Sequence, residues 1–324
     1  MTYQTFQEKI KECVSSRFEP GTNVALREVV KNNNVHLHGL TAFPPGCRFS
    51  LTIYLESFYR DYKNGETLDS IADQIYEMFV KEKVVNPPDL SFFLQEDEVK
   101  QRLMCRLIGE KKNRRMLEKT PHRSFLDVAV IYECMLMHDG MDMASILIRD
   151  EHMENWSLTR EELHEAALQN TRHVYPPEFV PMEQLVSSIL SQNPDGPGQF
   201  IFPKQYPRRH SSISSELYVL TNRIRYYGAV WMTEPDQLRQ MGDVLENNYF
   251  ILPSSVHECI VLPDNDCFGA ENLQKMVQEI NATQVDREEV LTDSVYYYDR
   301  DKEILSVAAK APEPGQEVAE EKEA

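Results

Sequence analysis

The sequence predicts an α+β fold: mixed or antiparallel sheets with flanking helices, in two linked halves. Three observations carry that prediction. Short β-prone apolar runs and amphipathic helical stretches succeed one another along the 324 residues, and no internal repeat of fixed period is present. Asn, Pro and Gly signals punctuate these runs. A composition of 41% hydrophobic and 27% charged side chains is that of a soluble globular chain able to bury a sizeable core.

The elements follow in order. Tyr3, Phe6, Ile10 and Val14 recur at helical spacing, so an amphipathic helix opens the chain. Val24–Val30 and Val35–Ala42 are β-prone runs joined by Lys31-Asn32-Asn33-Asn34, whose asparagines tolerate left-handed turn conformations. Leu51–Leu55 is a short strand or the start of a helix carrying Tyr54, Phe58 and Tyr62, stopped by Gly65. Thr67 caps a helix whose stripe is Leu68, Ile71, Ala72, Ile75 and Phe79, and Asn86-Pro87-Pro88 breaks it. Val99–Ile108, Phe125–Met137 and Ala144–Ile148 read as strands of an antiparallel sheet. Thr159 and Glu162 have capping-box spacing, flanked by Leu158 and Leu163 as a hydrophobic staple, and predict a helix over Arg160–Asn170.

Pro176-Pro177 begins a connector, and residues 192–212 have the composition of an exposed linker. The remainder reads as strand Glu216–Leu220, turn Thr221–Tyr227, strand Gly228–Met232 and a helix started by Thr233 and Pro235. Strands at Tyr249–Leu252 and Glu258–Leu262, a helix over Ala270–Ile280 and a hairpin of Val295–Tyr298 with Glu303–Val307 complete it. The expected organisation is an N-terminal half 1–156, a C-terminal half 157–309 and a disordered acidic tail 310–324.

Charge narrows the function classes. With 34 basic and 52 acidic side chains the net charge is −18, which opposes binding to a phosphate backbone. The charge is also polarised. Residues 100–123 hold nine basic side chains against Glu110 and Glu118, whereas residues 133–165 hold nine acidic ones against Arg149 and Arg160. Two mutually attractive surfaces are the simpler expectation, with an external anion as the alternative. Cys13, Cys47, Cys105, Cys134, Cys259 and Cys267 form no tight framework, as expected of a reducing cytoplasm. No apolar run is long enough to span a bilayer, and Met1–Lys11 lacks the pattern of a secretory signal.

Several stretches carry a family likeness: Thr52-Ile53-Tyr54-Leu55 with Tyr59, Tyr62 and Gly65; Trp156–Asn170; Tyr218–Asn222 with Gly228-Ala229; Ile251–Glu258; and Glu289–Tyr298. Together they resemble an uncharacterised family of intracellular proteins from anaerobic, gut-type Firmicutes, a domain of unknown function. The helix at Trp156–Asn170 and the strands after it are also similar, more distantly, to the YtpQ-like proteins. The likeness covers nearly the whole chain except the tail. It implies an intracellular protein and supplies no reaction, so no site residue follows from it.

The residues themselves offer a few candidates. Pro253-Ser254-Ser255-Val256-His257-Glu258 brings a hydroxyl, an imidazole and a carboxylate together, the ingredients of nucleophilic catalysis by Ser255, His257 and Glu258. The spacing argues for a strand end whose side chains satisfy backbone groups, since a triad normally gathers its members from distant segments. Thr221, Asn222, Ser254 and His257 are the binding candidates, all in predicted loops. His36 with His38, and His257 with Cys259 and Cys267, lack zinc spacing; His138-Asp139-Gly140-Met141-Asp142 lacks the further acids of a calcium loop. No phosphate-binding glycine loop is present, so no cofactor is expected. Tyr54, Phe58, Tyr59 and Tyr62 read mostly as core, and one of Tyr296, Tyr297 and Tyr298 is a contact-surface candidate.

The expectation is a non-enzymatic cytoplasmic protein that binds a protein partner or small ligand through loops of its C-terminal half. A hydrolase built on residues 254–258 is the first alternative, and anion or nucleic-acid association through residues 100–123 the second.

Overall fold

In the computed structural model, which describes residues 1–46, 50–81, 90–139, 142–192, 217–253 and 255–310, the opening periodicity becomes helix α1 (Tyr3–Ser15), with Phe6, Ile10 and Val14 buried. Thr2 caps it. Strands β1 (Asn23–Val30) and β2 (His36–Phe43) form the expected hairpin, and Asn33 and Asn34 take the left-handed conformation at its tip. Strand β3 (Thr52–Tyr54) pairs with β2, and helix α2 (Glu56–Lys63) begins only after it. Tyr54 is therefore a strand residue, while Phe58, Tyr59 and Tyr62 pack into the core. Helix α3 (Leu68–Lys81) starts where Thr67 Oγ1 accepts the Ser70 amide at 3.2 Å. Its Ile71, Ala72 and Ile75 close on α1 and on Val24, Leu40 and Ile53 of the sheet.

Those elements make one compact unit, Met1–Asp89, and the rest of the chain makes a second, Leu90–Ala324. The sequence-based division at 156/157 falls inside the second unit. The physical reason is a shared core. It joins Leu103, Val130 and Tyr132, which precede that boundary, to Leu163, Trp231, Ile251 and Tyr296, which follow it.

In the second unit, helix α4 (Glu96–Lys100) takes Val99, which the apolar pattern assigned to a strand; strand β4 (Leu103–Gly109) starts after it. Helix α5 (Arg114–Leu117) and strand β5 (His122–Phe125) lead to β6 (Val128–Asp139), then β7 (Asp142–Leu147). The apolar run Phe125–Met137 thus hides a hairpin turn, with Leu126 in the left-handed region. Strands β4 to β7 form one antiparallel sheet, with β6 pairing to the other three.

Helix α6 (Asp150–Asn155) precedes α7 (Arg160–Val174), whose Thr159–Glu162 capping box forms as predicted and which continues past Asn170. Strand β8 (Pro177–Pro181) replaces the expected connector, and helix α8 (Met182–Gln192) follows. Strand β9 (Tyr218–Asn222), helix α9 (Pro235–Leu245), strands β10 (Tyr249–Leu252) and β11 (Cys259–Pro263), helix α10 (Ala270–Thr283) and strands β12 (Val295–Asp299) and β13 (Ile304–Ala309) complete the unit. The second antiparallel sheet has the order β13-β12-β10-β11-β9-β8. Gly228–Met232, expected as a strand, is a buried 3-10 helix. Tyr296 and Tyr298 point into the shared core, and Tyr297, on the other face, packs on Phe250 beneath α10 instead of forming a contact surface.

Cys47, the Asn86-Pro87-Pro88 break, residues 193–212 of the expected linker, Gly140, Met141, Ser254 and residues 311–324 of the tail lie outside the described residues. Among the described residues no helix is long and apolar enough to cross a membrane.

Candidate functional site

Strand alternation places Met104 and Arg106 of β4 on the same face as Glu133 and Met135 of β6. Arg106 Nη1 donates to Glu133 Oε1 at 2.7 Å, and Ser145 Oγ of β7 donates to the second carboxylate oxygen at 2.6 Å. The Glu133 side chain is only 6% exposed and that of Arg106 18%, so this is a largely desolvated pair. The Arg106 Nε is buried and has no hydrogen-bond partner among the described residues.

The turn after β9 covers this face. Asn222 Oδ1 accepts the Tyr226 amide at 3.1 Å and its Nδ2 donates to the Tyr226 carbonyl at 2.7 Å, which clamps the loop. Within it Arg225 and Tyr227 both have positive φ, uncommon for side chains of this bulk. The strained Tyr227 lays its ring under Arg106, whose guanidinium carbon is 4.4 Å from the centroid. Burial raises the Tyr227 phenol far above its ordinary range, so it stays neutral. Met104, Arg106, Glu133, Asn222, Tyr226 and Tyr227 line a cleft together with Cys105, Met135, Thr171 and Tyr175. It holds about 290 Å³ counted out to open solvent, and its enclosed part is the size of one water.

Gly228 fixes where the turn ends. A Cβ there would lie 2.7 Å from the His257 carbonyl oxygen and 2.7 Å from Thr221 Cα, and neither backbone atom can give way. Gly228→Ala is expected to cost about 2–3 kcal/mol by forcing the two segments apart. The check is the shift of the urea midpoint relative to wild type.

Thr221, Ser255 and His257, singled out in the sequence, have their polar atoms engaged. Thr221 is fully buried, and its Oγ1 donates to the His257 carbonyl at 3.0 Å. Ser255 Oγ accepts the His257 amide at 3.0 Å. His257 Nδ1 accepts the Tyr227 amide at 3.2 Å, which leaves the proton on Nε2, 3.4 Å from Glu289 Oε1. That contact lowers the Glu289 carboxyl below its ordinary range. The imidazole also stacks on Tyr227, with centroids 5.5 Å apart and planes 4° from parallel. The hydroxyl and the imidazole of this segment thus bond to backbone groups and not to each other, so neither activates the other. Of the binding candidates among the described residues, Asn222 alone lines the cleft.

Glu258 is half-buried, and burial raises its carboxyl above the usual carboxylate range. A raised folded pKa means that the native state resists ionisation. The resulting penalty is absent below the unfolded pKa and fully present once pH exceeds the folded one. Glu258→Gln is therefore expected to stabilise the protein at pH 7 and to make no difference below about pH 4. Chemical denaturation at the two pH values reads this directly. Cys105 in the cleft wall is equally unsuited to act as a nucleophile, because burial pushes its thiol up to about 12.

Elsewhere, His36 meets Glu28 and His38 meets Glu56, each as a separate pair. No group of three metal-ligating side chains exists among the described residues. The expected attraction between the basic and acidic stretches is represented by Arg106–Glu133. Lys100 pairs with Glu96 and Arg102 lies over Phe92, both outside the acidic stretch. A family model described as a family of unknown function, DUF5688, matches residues 3–300. No curated protein and no solved structure matches the chain.

Proposed function

The chain belongs to the DUF5688 family of unknown function, and from its geometry we propose a non-enzymatic protein that binds a peptide segment of a partner protein in the cleft beneath Asn222–Tyr227. The observation that carries this is the buried Arg106. Glu133 neutralises its charge while its Nε stays unpartnered. A neutral acceptor such as a peptide carbonyl suits that donor; an anion would meet the Glu133 carboxylate. The rim supplies the apolar half of the recognition. Exposed Val174 precedes Tyr175 and exposed Ile224 lies two residues before Tyr226 in sequence, and both tyrosines line the cleft. An enclosed volume of one water suits the tip of a side chain rather than a cofactor.

The hydrolase alternative gains no support, because Ser255 and His257 bond to backbone amides. A cytoplasmic setting is supported by the free thiols of Cys13, Cys105, Cys134, Cys259 and Cys267, and we take the family to be an intracellular Firmicutes one, distantly YtpQ-like. The test is capture from native lysate by wild type and by Ile224→Asp, read by mass spectrometry. Ile224 is 38% exposed, so the substitution spares the core. Proteins retained by wild type and lost by the variant support the proposal; identical captures contradict it.

A further inference from the structure

The cleft wall sets an unused donor beside an acceptor with capacity to spare. The Arg106 Nε is buried and has no hydrogen-bond partner among the described residues. Only the guanidinium carbon separates it from Nη1, which lies 2.7 Å from Glu133 Oε1. Each Glu133 oxygen accepts one of the hydrogen bonds described above, from Arg106 Nη1 or from Ser145 Oγ. A carboxylate has about four lone-pair sites, so further acceptor sites remain next to the orphaned donor. Two other polar side chains of the lining are spent on the fold. Asn222 bonds the Tyr226 amide and carbonyl. Thr171 Oγ1 donates to the Ala167 carbonyl at 2.7 Å and accepts the Cys105 amide at 3.0 Å.

We propose that the bound segment anchors itself here with a primary carboxamide, the side chain of an asparagine or glutamine, an inference that rests on the peptide-binding role proposed above. The amide oxygen accepts from Arg106 Nε, and the N–H on the same edge of the amide donates to Glu133. Other groups of a peptide match this pair less well. A carboxylate lacks the donor and meets Glu133; an ammonium lacks the acceptor and meets Arg106. An aliphatic side chain leaves the buried donor unpaired.

Main-chain amides and acetylated lysine do carry both a carbonyl and an N–H. The trans amide holds them on opposite edges, however, so one such group cannot engage both partners. A hydroxyl places donor and acceptor on a single atom, which then has to lie within hydrogen-bond distance of both side chains at once. The primary carboxamide divides the two functions between two atoms on one edge, which suits a donor and an acceptor held on neighbouring side chains. Its stem is apolar, as are the Met104 and Met135 side chains of the same lining.

Changing the peptide tests this without disturbing the protein. Peptides are selected from a random library on immobilised wild type, and those that fail to bind Ile224→Asp are sequenced. They should share an asparagine or glutamine at one aligned position. In fluorescence anisotropy with wild type, replacing that residue by its apolar isostere (methionine for glutamine, leucine for asparagine) or by its acid should each weaken binding about tenfold or more. Arg106→Lys then places the contact, because it keeps a cation for Glu133 and removes Nε. The preference for the amide over its apolar isostere should shrink about tenfold in that variant. Ile224-dependent peptides that share no amide residue, that carry serine or threonine in its place, or that bind equally after the replacements overturn this inference and leave the peptide-binding role standing. An amide preference that survives Arg106→Lys overturns it as well. Absence of any Ile224-dependent peptide overturns both.

Discussion

Replacing Arg106 by methionine is expected to cost about 3–5 kcal/mol of stability, because it strands the Glu133 carboxylate in a desolvated site. Glu133 keeps one hydrogen bond, from Ser145 Oγ, and loses the charge that compensates it. The same physics makes the double replacement informative. Arg106→Met with Glu133→Met removes both charges and leaves flexible apolar chains beside Met104 and Met135. It should recover most of the loss, so the pair's coupling in a double-mutant cycle is large while its net contribution is small. Urea denaturation of the four proteins measures both quantities. Additive single effects would mean that water reaches Glu133 and replaces the guanidinium.

Asp127→Ala should be comparably damaging for a different reason. The carboxylate accepts from Thr292 Oγ1 at 3.2 Å, from Ser294 Oγ at 2.6 Å and from the Tyr296 hydroxyl. Ser294 and Tyr296 are fully buried and Thr292 is 8% exposed, so alanine removes from a water-poor site the acceptor that these three hydroxyls share. At about 1–3 kcal/mol for each unsatisfied donor, and with incomplete additivity, the expected loss is about 3–5 kcal/mol. Asp127→Asn keeps one acceptor oxygen and should lose roughly half as much. Asp127 sits in the β5–β6 turn, and the hydroxyls come from residues 292–296. The denaturant midpoint should therefore fall with no change in slope, as for a single cooperative unit.

Much of the fold was legible because its signals are local. Thr67 and Thr159 each place a hydroxyl three residues ahead of an amide, and both helices start there. The asparagine turn after β1 likewise needs only its own residues. What escaped depends on distant packing. Val99 continues an apolar run in sequence yet belongs to α4. Leu126 takes a left-handed conformation that no glycine or asparagine announces. Gly228–Met232 is apolar at every position, and burial on all sides permits a 3-10 helix as readily as a strand. The boundary drawn at 156/157 failed to anticipate a core that both sheets share.

The candidate site divides the same way. Asn222 and His257 attracted notice as polar residues in predicted loops, and the structure makes Asn222 the clamp of the covering turn and His257 its backstop. Arg106 and Glu133 were visible only as members of opposite charge runs. Their pairing depends on the register of β4 against β6, which spacing along the chain does not encode. Tyr226-Tyr227 ahead of a glycine was the available local signal for the strained turn.

The central claim, recognition of a peptide segment by the cleft, is tested most directly by fluorescence anisotropy. Peptides are first selected from a random library on immobilised wild type, and their affinities are then compared across variants. Ile224→Asp should weaken binding by about tenfold or more, as expected for a rim contact beside a buried anchor, and Ser255→Ala should leave it unchanged. Unchanged affinity in Ile224→Asp, or loss confined to Ser255→Ala, would contradict it.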